Sequence, residues 1–320
     1  MDNSVYFDHN IYSYVVRNEL NGNYSVSDQI QKLINNNTIR VYYSDQHIFE
    51  TSKREIISHI DKELEVIHRI TCDWFIEPDY QLIRFDPRLR YKFLHSTGIF
   101  ELFKSVMGWV VEQSSKEEDP KSPLPNNIPS QKMNNLPIKD VLPLIEKQMQ
   151  DASSKINPSD FSRQFQLPDE NKNEIINIFT NFLQLLVGES ANSQEIKRKL
   201  QQGMDKKLLS VKKQILPLLQ QNQFTINEWL KAFNLTDDST VAALENLIGS
   251  FGYYPDKKRV RDKKGPLGEQ YDSPHLGYAV HFQYFVTNDK RFAKRSKIVV
   301  NELNLSTKLM NLQKFLEYFT

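Results

Sequence analysis

Short apolar runs alternate with longer amphipathic stretches at both ends of the chain, and the middle is almost wholly helical in pattern. Residues 5–7 and 39–43 are rich in β-branched and aromatic side chains and read as strands. Helical patterns follow each. Residues 11–16 form one. Residues 27–34 form another, capped by Ser25 or Ser27, with Ile30, Leu33 and Ile34 on one face. From 47 to 70, Ile56, Ile60, Leu64 and Ile67 recur at three- and four-residue spacing, which predicts one long helix with Glu50 in its first turns. Near the other end, Asp272 followed by Pro274 predicts a capped helix start. Residues 284–287 and 298–300 then read as strands, and 309–319 as a final helix. The links between strands are too long for hairpins and favour parallel pairing.

The middle follows another pattern. Phe85, Asp86 and Pro87 break any helix over 75–95, and 99–112 reads as helical. Prolines at 120, 123, 125, 129 and 137 among Ser, Asn and Lys mark 113–140 as a linker or mobile loop. Residues 174–187 carry a wide apolar face; 194–219 form a long helix that Pro217 should kink or end. Thr225 and Glu228 make a capping box opening a helix to Phe233; Ser239 caps the next, which Gly252 closes. The division this predicts is an α/β domain made of a parallel sheet flanked by helices, built from residues 1–75 and 256–320. An irregular region with its proline-rich linker (76–138) and a mostly helical insert (139–255) lie between the two parts.

Composition narrows the chemistry. The 320 residues carry a net charge of +1, so any nucleic-acid contact must use local patches. The single cysteine, Cys72, excludes an intramolecular disulfide and a cysteine-built metal site, and reads as a small buried apolar residue. The start of the sequence lacks signal-peptide character, and no run approaches the ~20 apolar residues of a membrane span. The expectation is a cytoplasmic protein with no membrane partner. Tryptophans 74, 109 and 229 read as core.

Carboxylates sit where strands end. Asp8 and Asn10 follow the first strand; Ser44 and, six residues on, Glu50 follow the second; Asp272 opens a helix leading into a strand that ends in Thr287 and Asp289. In an open α/β sheet, ligands bind outside the carboxyl ends of the strands. Converging carboxylates repel one another unless a cation neutralises them, and oxygen-only donors suit Mg²⁺ or Mn²⁺. Such ions activate water and neutralise a phosphodiester during in-line attack.

These residues resemble the motif blocks of the PIN-domain nucleases. Phe7, Asp8 and Asn10 resemble the opening block, Tyr43, Ser44 and Glu50 the second, and Asp272 with Ala279 the third. Phe285, Thr287, Asp289 and Phe292 resemble the closing block and are the most specific. The resemblance covers about 1–75 and 265–320. It implies a five-stranded parallel sheet and an acidic cluster of Asp8, Glu50, Asp272 and Asp289 that binds Mg²⁺ or Mn²⁺ and hydrolyses RNA or single-stranded DNA. Asn10, Ser44, Thr287 and His275 would support that cluster. By analogy alone, a toxin or phage-defence role is implied. The long insert departs from compact members and would select substrate or dock a regulatory protein.

Other residues bear on this reading. Lys257, Lys258, Arg259, Arg261, Lys263 and Lys264 precede Asp272, while Lys290 and Arg291 follow Asp289, so basic residues bracket the acids in sequence. Tyr253, Tyr254 and Tyr271 beside them are candidates for stacking on unpaired bases. Asp45 is an alternative to Glu50. The rival to a nuclease is a catalytically silent module of the same fold that binds nucleic acid or a protein. A phosphatase using an aspartyl nucleophile fits less well, because Asn10 stands where that chemistry wants a second Asp.

Overall fold

A computed structural model describes residues 3–96, 100, 133–154, 173, 176–177, 180, 193–221, 223–233, 235–254 and 269–319. The chain begins with β1 (Asn3–Phe7), α1 (His9–Leu20), α2 (Ser25–Asn35) and β2 (Ile39–Tyr42). It continues through α3 (Asp45–Ser52), α4 (Ile57–Thr71), the ribbon β3 (Trp74–Ile76) and β4 (Leu82–Arg84), and α5 (Pro87–Ser96). Next come α6 (Ile138–Ser153), α7 (Ser193–Gln221), α8 (Ile226–Ala232) and α9 (Asp237–Ser250). The last elements are α10 (Glu269–Ala279), β5 (Tyr284–Val286), α11 (Lys290–Glu302), β6 (Lys308–Met310) and α12 (Leu312–Phe319).

The main sheet is parallel, four-stranded and ordered β2-β1-β5-β6, so the two chain ends build it together as predicted. The antiparallel β3–β4 ribbon meets its β2 edge through one parallel bridge between Tyr43 and Phe75. From β1 the chain moves to β2 on one side, and β5 and β6 lie on the other. Strand order therefore reverses between β1 and β5, the point where α/β sheets open a crevice at the strands' carboxyl ends.

Alternation along β1 sorts the two faces. Val5 and Phe7 point to a core formed with Ile11 and Val15 of α1, Ile30 of α2, Leu64 and Ile67 of α4 and Phe315 of α12. Tyr6 points the other way, with Tyr42 and Phe285, to a core that includes Leu276 of α10 and Phe292 of α11. That second core runs without a break into Ile145 of α6, Ile226 of α8 and Leu244 of α9. Burying each such side chain contributes about 1.5–3 kcal/mol. Gly277 lets α10 approach α9 closely, since a Cβ there would sit 3.3 Å from the Asp238 carbonyl oxygen. At the same contact the Arg295 guanidinium and Ser273 hydroxyl both donate to the buried Glu245 carboxylate.

Several expectations change. Residues 298–300 form no strand: they lie within α11, and their unbroken burial reflects a helix packed on both the sheet and α9. The fourth sheet strand is β6, and the final helix begins at Leu312 rather than 309. The helix predicted over 47–70 is two helices, which places Glu50 near the end of α3. Tyr24, not Ser25 or Ser27, precedes α2. Residues left unassigned around 75–95 form the β3–β4 ribbon and a helix that opens at Pro87. Pro217 does not end α7, which runs on to Gln221. Thr236 caps α9 in place of Ser239, whereas the Thr225–Glu228 capping box forms as predicted. Cys72 is half-buried and terminates α4 in a left-handed conformation. Trp74 is also half-buried, between the guanidinium groups of Arg40 and Arg84. The helices predicted over 99–112 and 174–187, Trp109, and most of the 113–140 linker lie outside the described residues.

Candidate active-site cleft

Asp8 occupies the N-cap position of α1, yet its side chain makes no capping bond. Instead its Oδ2 accepts hydrogen bonds from the Thr287 hydroxyl, at 2.5 Å, and from the Asn10 amide. Asn10 also donates to Thr287 Oγ1 at 3.0 Å and accepts from the Asn288 backbone at 3.1 Å. The turn after β1 is thus stitched to the turn after β5 across the reversal point. Asp289 follows directly. Its Oδ1 caps α11 by accepting from the backbone N–H groups of Arg291 and Phe292. Its other carboxylate oxygen has no hydrogen bond among the described residues.

Glu50 reaches the same place from α3. His275, fully buried on α10, holds it with Nε2 at 2.7 Å from Glu50 Oε1. The other His275 nitrogen lies 2.9 Å from the Tyr6 hydroxyl, which is 2.6 Å from Ser44 Oγ. His47 completes the support. Its Nδ1 accepts from the Ser44 backbone N–H, so Nε2 carries the proton and donates to the Phe7 carbonyl at 2.7 Å, one residue before Asp8. Burial first, then the neighbouring histidines, push the His47 imidazole well below its ordinary pKa, consistent with this neutral tautomer.

Asp8, Glu50 and Asp289 line one cleft of about 380 Å³, together with His9, Asn10, Ser13, Arg17, Lys53 and Arg54. Asp272 is the fourth residue of α10, inside the helix and not its cap, three positions before His275; its side chain lies outside the described residues. Asp45 is not part of the cleft wall, because Arg90 grips both its oxygens at 2.7 Å. Lys290 and Arg291 open α11 beside Asp289. Lys257, Lys258, Arg259, Arg261, Lys263 and Lys264 lie outside the described residues, as does the Tyr271 side chain. Tyr253 is buried in the core and Tyr254 packs under Lys294, so neither presents an open stacking face.

The electrostatics separate the acids. Burial, reinforced by the charges of Glu50 and Asp289, raises the Asp8 carboxyl to about 6 against the pull of His275 and Thr287. Burial acts the same way on Glu50, but His9, His275 and Lys53 outweigh it and hold that carboxyl well below the ordinary range. The hydrogen bond from His275 needs no charge on the imidazole to favour the carboxylate. His9 is buried on the cleft wall with neither ring nitrogen hydrogen-bonded; its Nε2 is 3.3 Å from Glu63 Oε1 but misaligned for a bond. Asp8, Glu50 and Asp289 line one cleft, one of them resisting ionisation, but their oxygens do not all lie within 4.8 Å of one another, so a hard divalent cation would have to draw them together. No motif in the sequence marks Tyr6, His9 or His47 as support for the acids. Only the proximity of His9 and His47 to the motif residues hinted at them.

The chain matches no family model, no curated protein and no solved structure.

Among the described residues, the one group whose ligand atoms all lie within 4.8 Å of one another and could hold a metal ion is His68, Asp73 and Asp86. The Arg88 guanidinium already forks onto Asp86 and reaches His68 Nε2 at 3.2 Å, so a cationic group stands there without an ion. No described helix is long and apolar enough to cross a membrane.

Proposed function

We propose that the protein is a metal-dependent phosphodiesterase of PIN-like character, cutting RNA or single-stranded DNA. The observation that carries this reading is the convergence of Asp8, Glu50 and Asp289 on one cleft at the sheet's reversal point, with Asp8 resisting ionisation. Mg²⁺ or Mn²⁺ held there would neutralise the acids, polarise the phosphodiester and lower the pKa of water. Asp8, Glu50 and Asp289 would hold the ion, with Asp272 a further candidate by its place in sequence alone. Thr287 and Asn10 fix the Asp8 carboxylate, and His275 fixes Glu50. Arg17, Lys53 and Arg54 stand on the wall where a polyanion would lie. A toxin or phage-defence effector role, with a regulatory protein docking on the helical insert, follows from the family resemblance alone.

The test is cleavage of end-labelled single-stranded RNA and DNA in Mn²⁺ or Mg²⁺, with a chelator control and the Asp8→Asn/Asp289→Asn double variant. Metal-dependent cutting lost in the folded variant is expected. Cutting that survives both chelator and substitutions would sink the assignment, and absence of cutting by folded, metal-loaded protein would favour a silent binding module.

A further inference from the structure

The acidic cleft continues into a second depression. Ser13, Arg17 and Arg54 line both, and the second, about 190 Å³, adds Val16, Leu20, His59 and Glu63. Asn10, Ser13, Arg17 and Leu20 recur every three or four residues and so form one row along α1. At 1.5 Å per residue, Arg17 stands about 10 Å beyond Asn10 and Leu20 about 15 Å beyond it. The row leads from the acids to a guanidinium and then to an apolar side chain that is 60% exposed.

The two arginines are not equivalent. Arg54 donates to both Glu63 oxygens at 3.0 Å and to Ser13 Oγ at 2.6 Å, so its charge is already matched. Arg17 is exposed and makes no hydrogen bond or ion pair among the described residues. An acidic cleft repels a polyanion, and a strand crossing it gains from a cation at the next phosphate. A guanidinium suits that role through its planar fork.

We propose that this groove is a flanking subsite for a single-stranded polynucleotide. Arg17 holds a phosphate adjoining the bond at the acids, and Leu20 and His59 receive the attached base. The choice of ligand rests on the phosphodiesterase reading. Oligouridine and oligodeoxyuridine share the phosphodiester chemistry and the base and differ in the sugar.

Fluorescence anisotropy with fluorescein-labelled uridine and deoxyuridine dodecamers, in Ca²⁺, tests the subsite apart from catalysis. Wild type is compared with Arg17→Ala, Arg17→Lys and, as a control at an exposed lysine of α12 that lines neither depression, Lys314→Ala. Removing one phosphate contact from a single strand should flatten the log–log salt dependence by about 0.7 and weaken binding about five- to tenfold at low salt. Arg17→Lys should keep the salt slope, and Lys314→Ala should match wild type. Arg17-dependent binding of either dodecamer supports the subsite, and a preference between them identifies the sugar it accepts. Binding of Arg17→Ala within twofold of wild type at an unchanged slope overturns it, as does no binding of either dodecamer by wild type. Mn²⁺-dependent cutting by the same wild-type preparation reads the parent assignment separately. Arg17-dependent binding without cutting would remove the catalytic reading and keep the subsite.

Discussion

Asp8 carries the clearest conflict between stability and chemistry. Its folded pKa, about 6, lies above its ordinary value of 3.8, so the folded state binds this proton more tightly than the unfolded chain. The metal-free protein should therefore lose stability as pH rises from about 4 to about 6, by on the order of 3 kcal/mol from this group. Asp8→Asn should remove that loss and raise the metal-free melting temperature at pH above 7, while abolishing the Mn²⁺-induced shift seen in wild type. Thermal melts across pH, with and without Mn²⁺, read both effects; a wild-type shift as large at pH 5 as above pH 7 would contradict the assignment. His275 belongs to the same scale as a positioning residue for Glu50. His275→Ala should lower kcat about tenfold or more with KM little changed, and His275→Gln, which can still donate, should recover part of the loss. Loss of KM instead would indicate disrupted folding of the cleft. Asp8, Asn10, Thr287 and Asp289 were legible in the sequence because each follows a strand directly. Tyr6 was not, since its hydroxyl acts on His275 from 269 positions away and its own neighbours read only as strand.

At the scale of elements, burial explains both what the sequence showed and what it hid. The amphipathic period of α4 is plain because one face packs on the sheet and the other meets water. Ile298, Val299 and Val300 are all buried because α11 is covered on two sides, and an unbroken β-branched run there mimics a strand. β6 is only three residues, Lys308–Met310, and carries no alternation strong enough to read. The contact between α9 and α11 depends on Glu245 and Arg295, both almost fully buried. Arg295→Ala should cost about 3–5 kcal/mol by leaving the carboxylate without its counter-ion. Replacing the pair together with apolar residues of similar volume should cost far less. Urea unfolding of the single and double variants decides this, and equal losses would assign the cost to packing alone.

The core on the Tyr6 face of the sheet runs without a break to α6, α8 and α9. The helical region should therefore not melt by itself. Trp74 in β3 and Trp229 in α8 pack against different parts of that core. Unfolding followed at variants retaining one or the other should give coincident midpoints, whereas two separated transitions would show an insert that folds independently. That both chain ends build one parallel sheet flanked by helices was visible in the alternation of strand and helix patterns, but the core that the sheet shares with the helices between was not, because neither periodicity nor composition names a partner face. The reversal point also has a consequence in time. Asp8 and the hydroxyl that secures it, Thr287, are 279 positions apart. At roughly 5–20 residues per second, a ribosome takes on the order of 14–60 s to travel between them. During that interval the nascent chain carries Asp8 without the turn that completes the cleft, so the proposed cutting centre stays unassembled beside the messenger RNA until residue 287 has been made.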